Sequence, residues 1–274
     1  TIYLKVKNSD GLWSDEVSTS LILTSARKIF GRIQYENRPY NETGTGPDVV
    51  ELKPVRFADF EIVRASDQTV VLATGETRAD GGYEANFSAN NNEAIILKCY
   101  AYQENSNYNI KVVDNQDNKH FAVTPNTTIT GSEISLNLEI TEANNAGAFN
   151  ILDTLMQGSD KVKELSATVP SLSTIKWQKG IYLSTGYDNN AIELNGSPDD
   201  PDEYDDVIIL HEYGHFIADT YSYDNSPGGG HDTNNINQDI RISWSEGWAT
   251  YFACIVKNSP KYVEIKSRDS FTYN

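Results

Sequence analysis

The sequence predicts a multidomain protein of the α+β class, in which β-sandwich modules precede a mixed domain with two strongly patterned helices. Short strand-like runs separated by turn residues fill residues 25–142, where no long amphipathic helix is predicted. Helical periodicity appears only from about residue 143 onward. The composition, with 38 % hydrophobic and 11 % aromatic residues, is typical of a folded chain rather than a disordered one.

Residues 1–24 are predicted to form two strands joined by a turn. Apolar and polar side chains alternate from Ile2 to Val6, a turn follows, and a second strand is predicted from Val17 to Leu23. The segments that resemble the last hairpin of a fibronectin-III-like or immunoglobulin-like module are Tyr3-Leu4-Lys5-Val6-Lys7 and Asp10-Gly11-Leu12-Trp13-Ser14. Because two strands are too few for a stable domain, we expect the end of a preceding module, in a longer polypeptide with further extracellular modules.

Residues 25–142 are predicted to form a β-sandwich, the usual arrangement for many short alternating strands. The predicted strands are Lys28–Tyr35, Phe60–Ala65, Val70–Thr74, Ile95–Tyr102, Ile110–Val113 and Ile134–Ile140. The segments that resemble transthyretin-like, carboxypeptidase-regulatory-like modules are Gly31-Arg32-Ile33, Phe60-Glu61-Ile62-Val63 and Thr77-Arg78-Ala79-Asp80-Gly81-Gly82-Tyr83. This resemblance implies a spacer or adhesive unit.

Residues 143–274 are predicted to form a unit that mixes helices and strands. Hydrophobic spacing predicts a helix over Ala146–Leu165, with an interruption at Gly158. The strand-like runs that follow are Ile175–Trp177, Gly180–Leu183 and Ala191–Leu194.

Two further helices are predicted in this unit from their capping signals. Asp200 is the predicted N-cap of the first helix, with Pro201 at the first helical position, and this helix is expected to run to about Tyr221. The second helix is predicted to run from Ser243 to about Lys257.

A His-Glu-x-x-His pattern lies inside the first of these two helices. His211 and His215 are four residues apart, which places both imidazoles on one helix face, close enough to bind one metal ion. Glu212 follows the first histidine and is predicted to reach a metal-bound water. A helix that carries two surface or buried histidines with no metal-binding role would also explain this pattern. However, the pattern is rare by chance, and capping and periodicity place the helix independently.

A zinc ion held by two histidines needs a third protein ligand, and Glu246 on the next helix is the best candidate. The metzincin pattern, with a histidine six residues after His215, fails because that position is Tyr221. Ser243-x-x-Glu246 also fits a capping box, in which Glu246 bonds only the N-cap amide. His231, after a Gly-rich loop, is the other candidate for the third ligand.

These motifs resemble the gluzincins, the thermolysin-type zinc metallopeptidases with two histidine ligands and one glutamate ligand. The segments that carry the resemblance are Asp205-Asp206-Val207-Ile208-Ile209-Leu210-His211-Glu212-Tyr213-Gly214-His215 and Ser245-Glu246-Gly247-Trp248-Ala249. The resemblance implies a zincin-type catalytic domain over residues 143–274, incomplete at its C-terminus, with an active-site helix and a glutamate helix. Thermolysin-type enzymes place an aspartate four residues after the glutamate ligand, where this chain has Thr250, so support for a ligand histidine is expected to be supplied differently.

The resemblance implies a secreted zinc metallopeptidase that acts on a peptide or protein substrate. Zinc would acidify its bound water and polarise the scissile carbonyl, and Glu212 would act as the general base. His231 and Tyr251 are the candidate donors to the tetrahedral oxyanion. The alternative is an extracellular structural or adhesive protein, in which the zincin scaffold is inactive or not its main function.

The formal net charge of −17 excludes nucleic acid and anionic membranes as expected partners, since both repel an acidic surface. No apolar run approaches the roughly 20 residues of a transmembrane helix, and the predicted module types favour an extracellular or cell-surface location. Calcium is a second candidate cofactor, although helix capping and solvation explain the same acidic residues. These are Asp199, Asp200, Asp202, Glu203, Asp205 and Asp206.

Overall fold

The computed structural model describes residues 2–15, 17–19, 25–39, 49–188, 191–231, 235–266 and 269–273. Within them the fold is mostly β-sheet with three α-helices, which confirms the α+β class. The α-helices are α1 (Ala146–Ser166), α2 (Asp206–Tyr221) and α3 (Ile240–Lys257). Short 3₁₀ helices span Glu142–Asn144 and Asp202–Tyr204. None of the helices in the described part of the chain is long and apolar enough to cross a membrane.

The predicted N-terminal hairpin is confirmed. Strand β1 (Ile2–Leu4) pairs antiparallel with β2 (Val17–Thr19), with Ile2 opposite Thr19. The rest of the second predicted strand, residues 20–23, lies outside the described residues. Assignment of this hairpin to a preceding module stays a prediction.

Two five-stranded sheets form most of the β-rich region. Their strands are β3 (Ser25–Asn37), β4 (Glu51–Pro54), β5 (Asp59–Arg64), β6 (Asp67–Glu76), β7 (Gly82–Ala89), β8 (Ala94–Tyr100), β11 (Phe121–Val123), β12 (Thr127–Thr128), β13 (Glu133–Ser135) and β14 (Leu138–Ile140). One sheet is built around β3 and the other has the order β11-β8-β5-β6, with β12 also on β8. Alternating side chains from both sheets, such as Ile29, Ile62 and Leu97, fill one core.

The structure refines two of the predicted strands in this region. The predicted strand Ile134–Ile140 is split into β13 and β14, which pair parallel with β3 in the same register, and Leu136 between them donates its amide to Phe30 O. Strand β7 has no counterpart among the predicted strands, although its buried Tyr83 and Phe87 give it an alternating pattern.

A third five-stranded sheet lies next to the helices, in the order β16-β17-β15-β10-β9. Its strands are β9 (Tyr102–Glu104), β10 (Asn109–Val113), β15 (Ser173–Lys176), β16 (Gly186–Asp188) and β17 (Ala191–Glu193). Strands β9 and β10 of this sheet come before the predicted domain boundary at 142/143, and strands β15, β16 and β17 come after it. The boundary itself stays a prediction. The predicted strand Gly180–Leu183 is wrong, because Gly180 adopts a left-handed φ of 77° and the edge strand is β16.

The starts of the two predicted motif helices are corrected by the structure. Helix α2 is capped by Asp205, whose carboxylate accepts from Ile208 N, and not by Asp200. Asp200 and Pro201 instead form β19 (Asp200–Pro201), paired with β18 (Gly196–Ser197). Helix α3 begins three residues before Ser243, with Asp239 as its N-cap. The capping box at Ser243-x-x-Glu246 is therefore wrong, and Glu246 lies inside the helix.

Close contacts between helices fix the position of α3 against α2. A Cβ atom on Gly214 would lie 2.9 Å from Ala249 Cα, so only glycine allows this approach. Trp248 Nε1 donates to Gly214 O across the contact at 2.9 Å. Helix α1 is not interrupted at Gly158, where the missing side chain makes room for the Tyr213 ring. After α3 the chain forms an antiparallel hairpin of β20 (Tyr262–Lys266) and β21 (Asp269–Tyr273).

Candidate metal centre

Helix α2 separates its apolar residues from its functional ones. Leu210 and Tyr213 are fully buried and belong to the core. His211, Glu212 and His215 lie on the side of the helix that faces a cavity. The four-residue spacing brings the two imidazoles together, with ring centroids 4.8 Å apart.

Three donor atoms converge where α2 and α3 face each other. The Nε2 atoms of His211 and His215 are 3.1 Å apart, and Glu246 Oε2 lies 3.2 Å from the first and 3.6 Å from the second. In a tetrahedral zinc site with bonds of about 2.0–2.1 Å, neighbouring ligand atoms are about 3.3 Å apart. The observed separations match the edges of such a tetrahedron, so the residues present fit a zinc ion. Within the described residues, these three form the one group of His, Cys, Asp and Glu that could hold a metal ion.

Hydroxyl groups on α3 contact the Nδ1 atom of each imidazole, the ring nitrogen opposite the shared centre. His211 Nδ1 lies 3.2 Å from Thr250 Oγ1, and His215 Nδ1 lies 3.2 Å from Ser245 Oγ. Thr250, which stands where the gluzincin resemblance leads one to expect an aspartate, therefore itself contacts the candidate ligand His211. Since each Nδ1 has a hydrogen-bond partner, each Nε2 is left to face the shared centre.

The charges within the group favour an ionised carboxylate. Burial raises the pKa of Glu246, but the neighbouring imidazoles of His211 and His215 lower it more, so its pKa falls well below the ordinary value. Burial lowers the pKa of His215, but the carboxylates of Glu246 and Glu212 raise it by more, so the pKa lies above its ordinary value. The group therefore presents an anionic oxygen beside two nitrogen donors.

Glu212 differs from the other carboxylates around it because it accepts no hydrogen bond from the part of the chain that the structure describes. Its residue is only 9 % exposed, yet it lines the cavity beside the two histidines. Burial raises the pKa of Glu212, and the two imidazoles oppose this increase. A carboxylate that faces the cavity without a hydrogen-bond partner among the described residues, next to a group that could hold a metal ion, is suited to accept a proton.

The candidate oxyanion donors occupy different places. His231 reaches the cavity, and its Nε2 lies 3.3 Å from Glu246 Oε2, so it remains close enough to act as a donor or as an additional ligand. Tyr251 does not reach the cavity; it is 58 % exposed and its ring contacts Trp248. Tyr262 on β20, which the sequence analysis did not identify, lines the cavity, with its ring centroid 5.7 Å from that of His211.

The cavity around the group has a volume of about 900 Å³ and is strongly acidic. The eight carboxylates that line it are those of Asp188, Asp200, Asp202, Glu212, Asp219, Asp224, Glu246 and Glu264. No lysine or arginine lines it among the residues that the structure describes. The edge strand β16 and the loop at Gly228 and Gly229 form part of its rim.

The acidic segment before α2 has structural roles in the described chain. Burial raises the pKa of Glu203 to about 7, and its carboxylate accepts from Trp177 Nε1 at 3.1 Å. Asp206 accepts from Thr154 Oγ1 at 2.9 Å and from Lys257 Nζ at 2.7 Å. Within the described residues these carboxylates do not form one of the groups of His, Cys, Asp and Glu that could hold a metal ion, and the calcium site stays a prediction.

Comparisons with known proteins give little similarity. No family model matches the chain, and no curated protein matches it. A 9R-lipoxygenase from Cyanothece PCC8801 is 12 % identical over 57 % of this chain and 27 % of its own, with a TM-score of 0.25. The major plantain pollen allergen Pla l 1 is 17 % identical over 43 % of this chain and 94 % of its own, with a TM-score of 0.24.

The shaft pilin SpaA from Lactobacillus rhamnosus GG is 11 % identical over 43 % of this chain and 50 % of its own, with a TM-score of 0.21. This chain thus spans about a quarter of the length of the lipoxygenase. At such TM-scores these similarities support no functional conclusion, and the function has to be argued from the site itself.

Proposed function

We propose that this chain is a zinc-dependent metallopeptidase of the gluzincin type, with His211, His215 and Glu246 as metal ligands. The observation that carries the proposal is Glu212, a largely buried residue whose carboxylate faces the cavity without a hydrogen-bond partner among the described residues, beside three donor atoms spaced for a tetrahedral ion. A purely structural zinc site has four protein ligands and no use for such a neighbour.

Two nitrogen donors and one carboxylate oxygen are a donor set that suits zinc and leaves one position open. When bound, zinc supplies an acidified water and polarises the scissile carbonyl. The chain's own contribution is to hold the donors at the right separation on two helices that Gly214 allows to pack closely.

Glu212 would take a proton from the water whose oxygen attacks the carbonyl carbon. It would then return a proton to the amine nitrogen as the peptide C–N bond breaks. Its pKa, raised by burial, improves the transfer in both directions near neutral pH. His231 is the cavity residue that would donate a hydrogen bond to the oxyanion.

The test is Glu212→Gln, which keeps the shape of the side chain and removes the base. We expect the variant to bind zinc stoichiometrically, by metal analysis, and to lose at least about 100-fold in hydrolysis of casein or a peptide library. The matched control is Glu164→Gln on the exposed surface of α1, which should hydrolyse like the parent. Full activity in Glu212→Gln would refute the assignment of the base.

Zinc binding without hydrolysis in the parent would instead favour a structural or adhesive protein with an inactive zincin scaffold. The peptidase proposal includes a secreted, extracellular or cell-surface location, because the β-rich region resembles extracellular modules. Its substrate would be a peptide or protein that reaches the acidic cavity.

A further inference from the structure

A chain of two hydrogen bonds leads from the candidate ligand His215 to a carboxylate on another segment. Ser245 Oγ lies 3.2 Å from His215 Nδ1 and 2.6 Å from Asp224 Oδ2. Ser245 is on α3, directly before Glu246, and is 2 % exposed. Asp224 lies in the loop that follows α2. We propose that Ser245 and Asp224 are positioning residues for the metal ligand His215, with Asp224 acting through Ser245.

The number of available protons fixes the direction of both bonds. An ionised carboxylate can only accept, so the single hydroxyl proton of Ser245 is donated to Asp224. The Ser245 oxygen then has only lone pairs left for His215, and Nδ1 must carry the imidazole proton. In the neutral imidazole, Nε2 is then the unprotonated nitrogen, with its lone pair directed at the centre that His215 shares with His211 and Glu246.

Ser245 does not follow the usual behaviour of serine in a helix. A helical serine commonly bonds the carbonyl oxygen four residues earlier, as Ser243 does with Asp239 O at 3.4 Å. Ser245 instead bonds two side chains outside its own helix. Ser243 is thus a matched control on α3, two residues away and without contact with the metal group.

Asp224 is itself held in place by the loop. Its Oδ1 accepts from Ser226 N at 2.8 Å, while Oδ2 accepts from Ser245. This leaves the carboxylate little freedom to turn away. The Nδ1 atom of His211 contacts only the Thr250 hydroxyl, so among the described residues only His215 is linked through its Nδ1 atom to a carboxylate.

The inference rests on the proposed metal centre, and it is tested by two measurements that need no catalysis. Ser245→Ala, Asp224→Asn, the double variant and the control Ser243→Ala are compared in full-length protein. Zinc affinity is measured by competition with a chromophoric chelator. The tautomer of His215 is measured in the metal-free protein at pH 9 by nitrogen-15 NMR of the imidazole ring.

We expect Ser245→Ala to weaken zinc binding by 10- to 100-fold, the usual effect of losing such a partner, and to mix the two tautomers of His215. Asp224→Asn should weaken zinc binding several-fold in the parent and have no effect once Ser245 is alanine. Ser243→Ala should match the parent in both measurements. This pattern is independent of whether peptides are hydrolysed.

The proposal is overturned if Ser245→Ala keeps the parental zinc affinity and a single Nδ1-protonated tautomer. It is also overturned if Asp224→Asn weakens binding equally with and without Ser245, because Asp224 would then act by another route. If the parent binds no zinc, the metal-centre proposal fails, and the tautomer measurement still decides whether Asp224 and Ser245 orient the ring.

Discussion

Two sets of carboxylates lie on or beside helix α2, and they differ in whether the protein supplies hydrogen-bond donors to them. At the start of α2, Glu203 and Asp206 are bonded by protein donors, including Trp177 and Lys257. In the middle of α2, Glu212 has no such donor within the described residues. Burial is costly for either set, and among the described residues internal hydrogen bonds offset part of this cost only in the first. Under the proposed function, a bound ligand would satisfy Glu212, and this difference would separate a structural carboxylate from a functional one.

The largest effect, a loss of zinc affinity, should come from removing the candidate ligand Glu246 on α3. Glu246→Ala deletes the only oxygen donor of the three-residue group. We expect zinc affinity to fall by at least about 100-fold, since losing even an outer partner of a ligand costs 10- to 100-fold. Metal analysis after dialysis and chelator competition measure the loss, with circular dichroism to confirm that the variant is folded.

Lys257→Met is the control for Glu246→Ala, because it changes the surroundings of Asp206 in the structural set and not those of the metal group. It leaves the Asp206 carboxylate, whose side chain is 21 % exposed, without its cation. We expect a loss of about 1–3 kcal/mol in the free energy of unfolding and unchanged zinc affinity of the folded protein. If Lys257→Met weakened zinc binding as much as Glu246→Ala, the division into two sets would be wrong.

The local part of the site could be predicted from sequence, because it depends on helix geometry. The spacing of His211 and His215 and the choice of Glu246 needed only a helix face and an acidic residue on the following helix. Asp224 and Tyr262 could not be found in this way. Each reaches the cavity from a loop or strand whose position is set by tertiary packing, and Tyr251 is an equally suitable residue on the wrong side of α3.

The fold was predictable to a similar extent. Alternation placed the strands of the β-rich region, but it contains no information on which strands pair, so the parallel pairing of β10 with β15 could not be foreseen. The start of α2 was misplaced because several aspartates are acceptable N-caps. Pairing of Asp200 with Ser197 in β18–β19 leaves Asp205 as the cap.

A pH-dependent effect, on stability and not on zinc binding, is expected at Glu203 in the structural set. The pKa of Glu203 is raised by burial from 4.5 to about 7 in the folded protein. For a raised pKa, the stabilising contribution is fully present below about pH 4.5 and is lost as the pH rises to about 7. Glu203→Gln stays neutral and keeps an acceptor for Trp177. We therefore expect it to be more stable than the parent at pH 8, by up to about 3 kcal/mol.

Urea unfolding of the metal-free parent and variant at several pH values between 4 and 8 measures this difference. The two proteins should be closest in stability at pH 4 and diverge toward pH 7, whereas the exposed control Glu164→Gln should follow the parent throughout. A constant difference at every pH would show that the pKa of Glu203 is the same in the folded and the unfolded protein, and that burial does not raise it.

The smallest effect concerns how the cavity-facing carboxylates act on a substrate. Asp188, Asp219 and Glu264 belong to three different elements around the cavity, and no described lysine or arginine lines it. A cavity lined by one sign of charge attracts the opposite sign. We expect peptides with lysine beside the scissile bond to be cleaved several-fold faster than matched peptides with glutamate, a difference of about 1 kcal/mol. Raising the salt from 0.1 M to 1 M shortens the screening length from about 10 Å to about 3 Å, so the preference should shrink accordingly. Measurement of kcat/KM for the lysine and glutamate peptides at both salt concentrations checks the preference and its dependence on salt.

Equal rates at low salt would mean that other groups of the protein already offset the charge of these carboxylates.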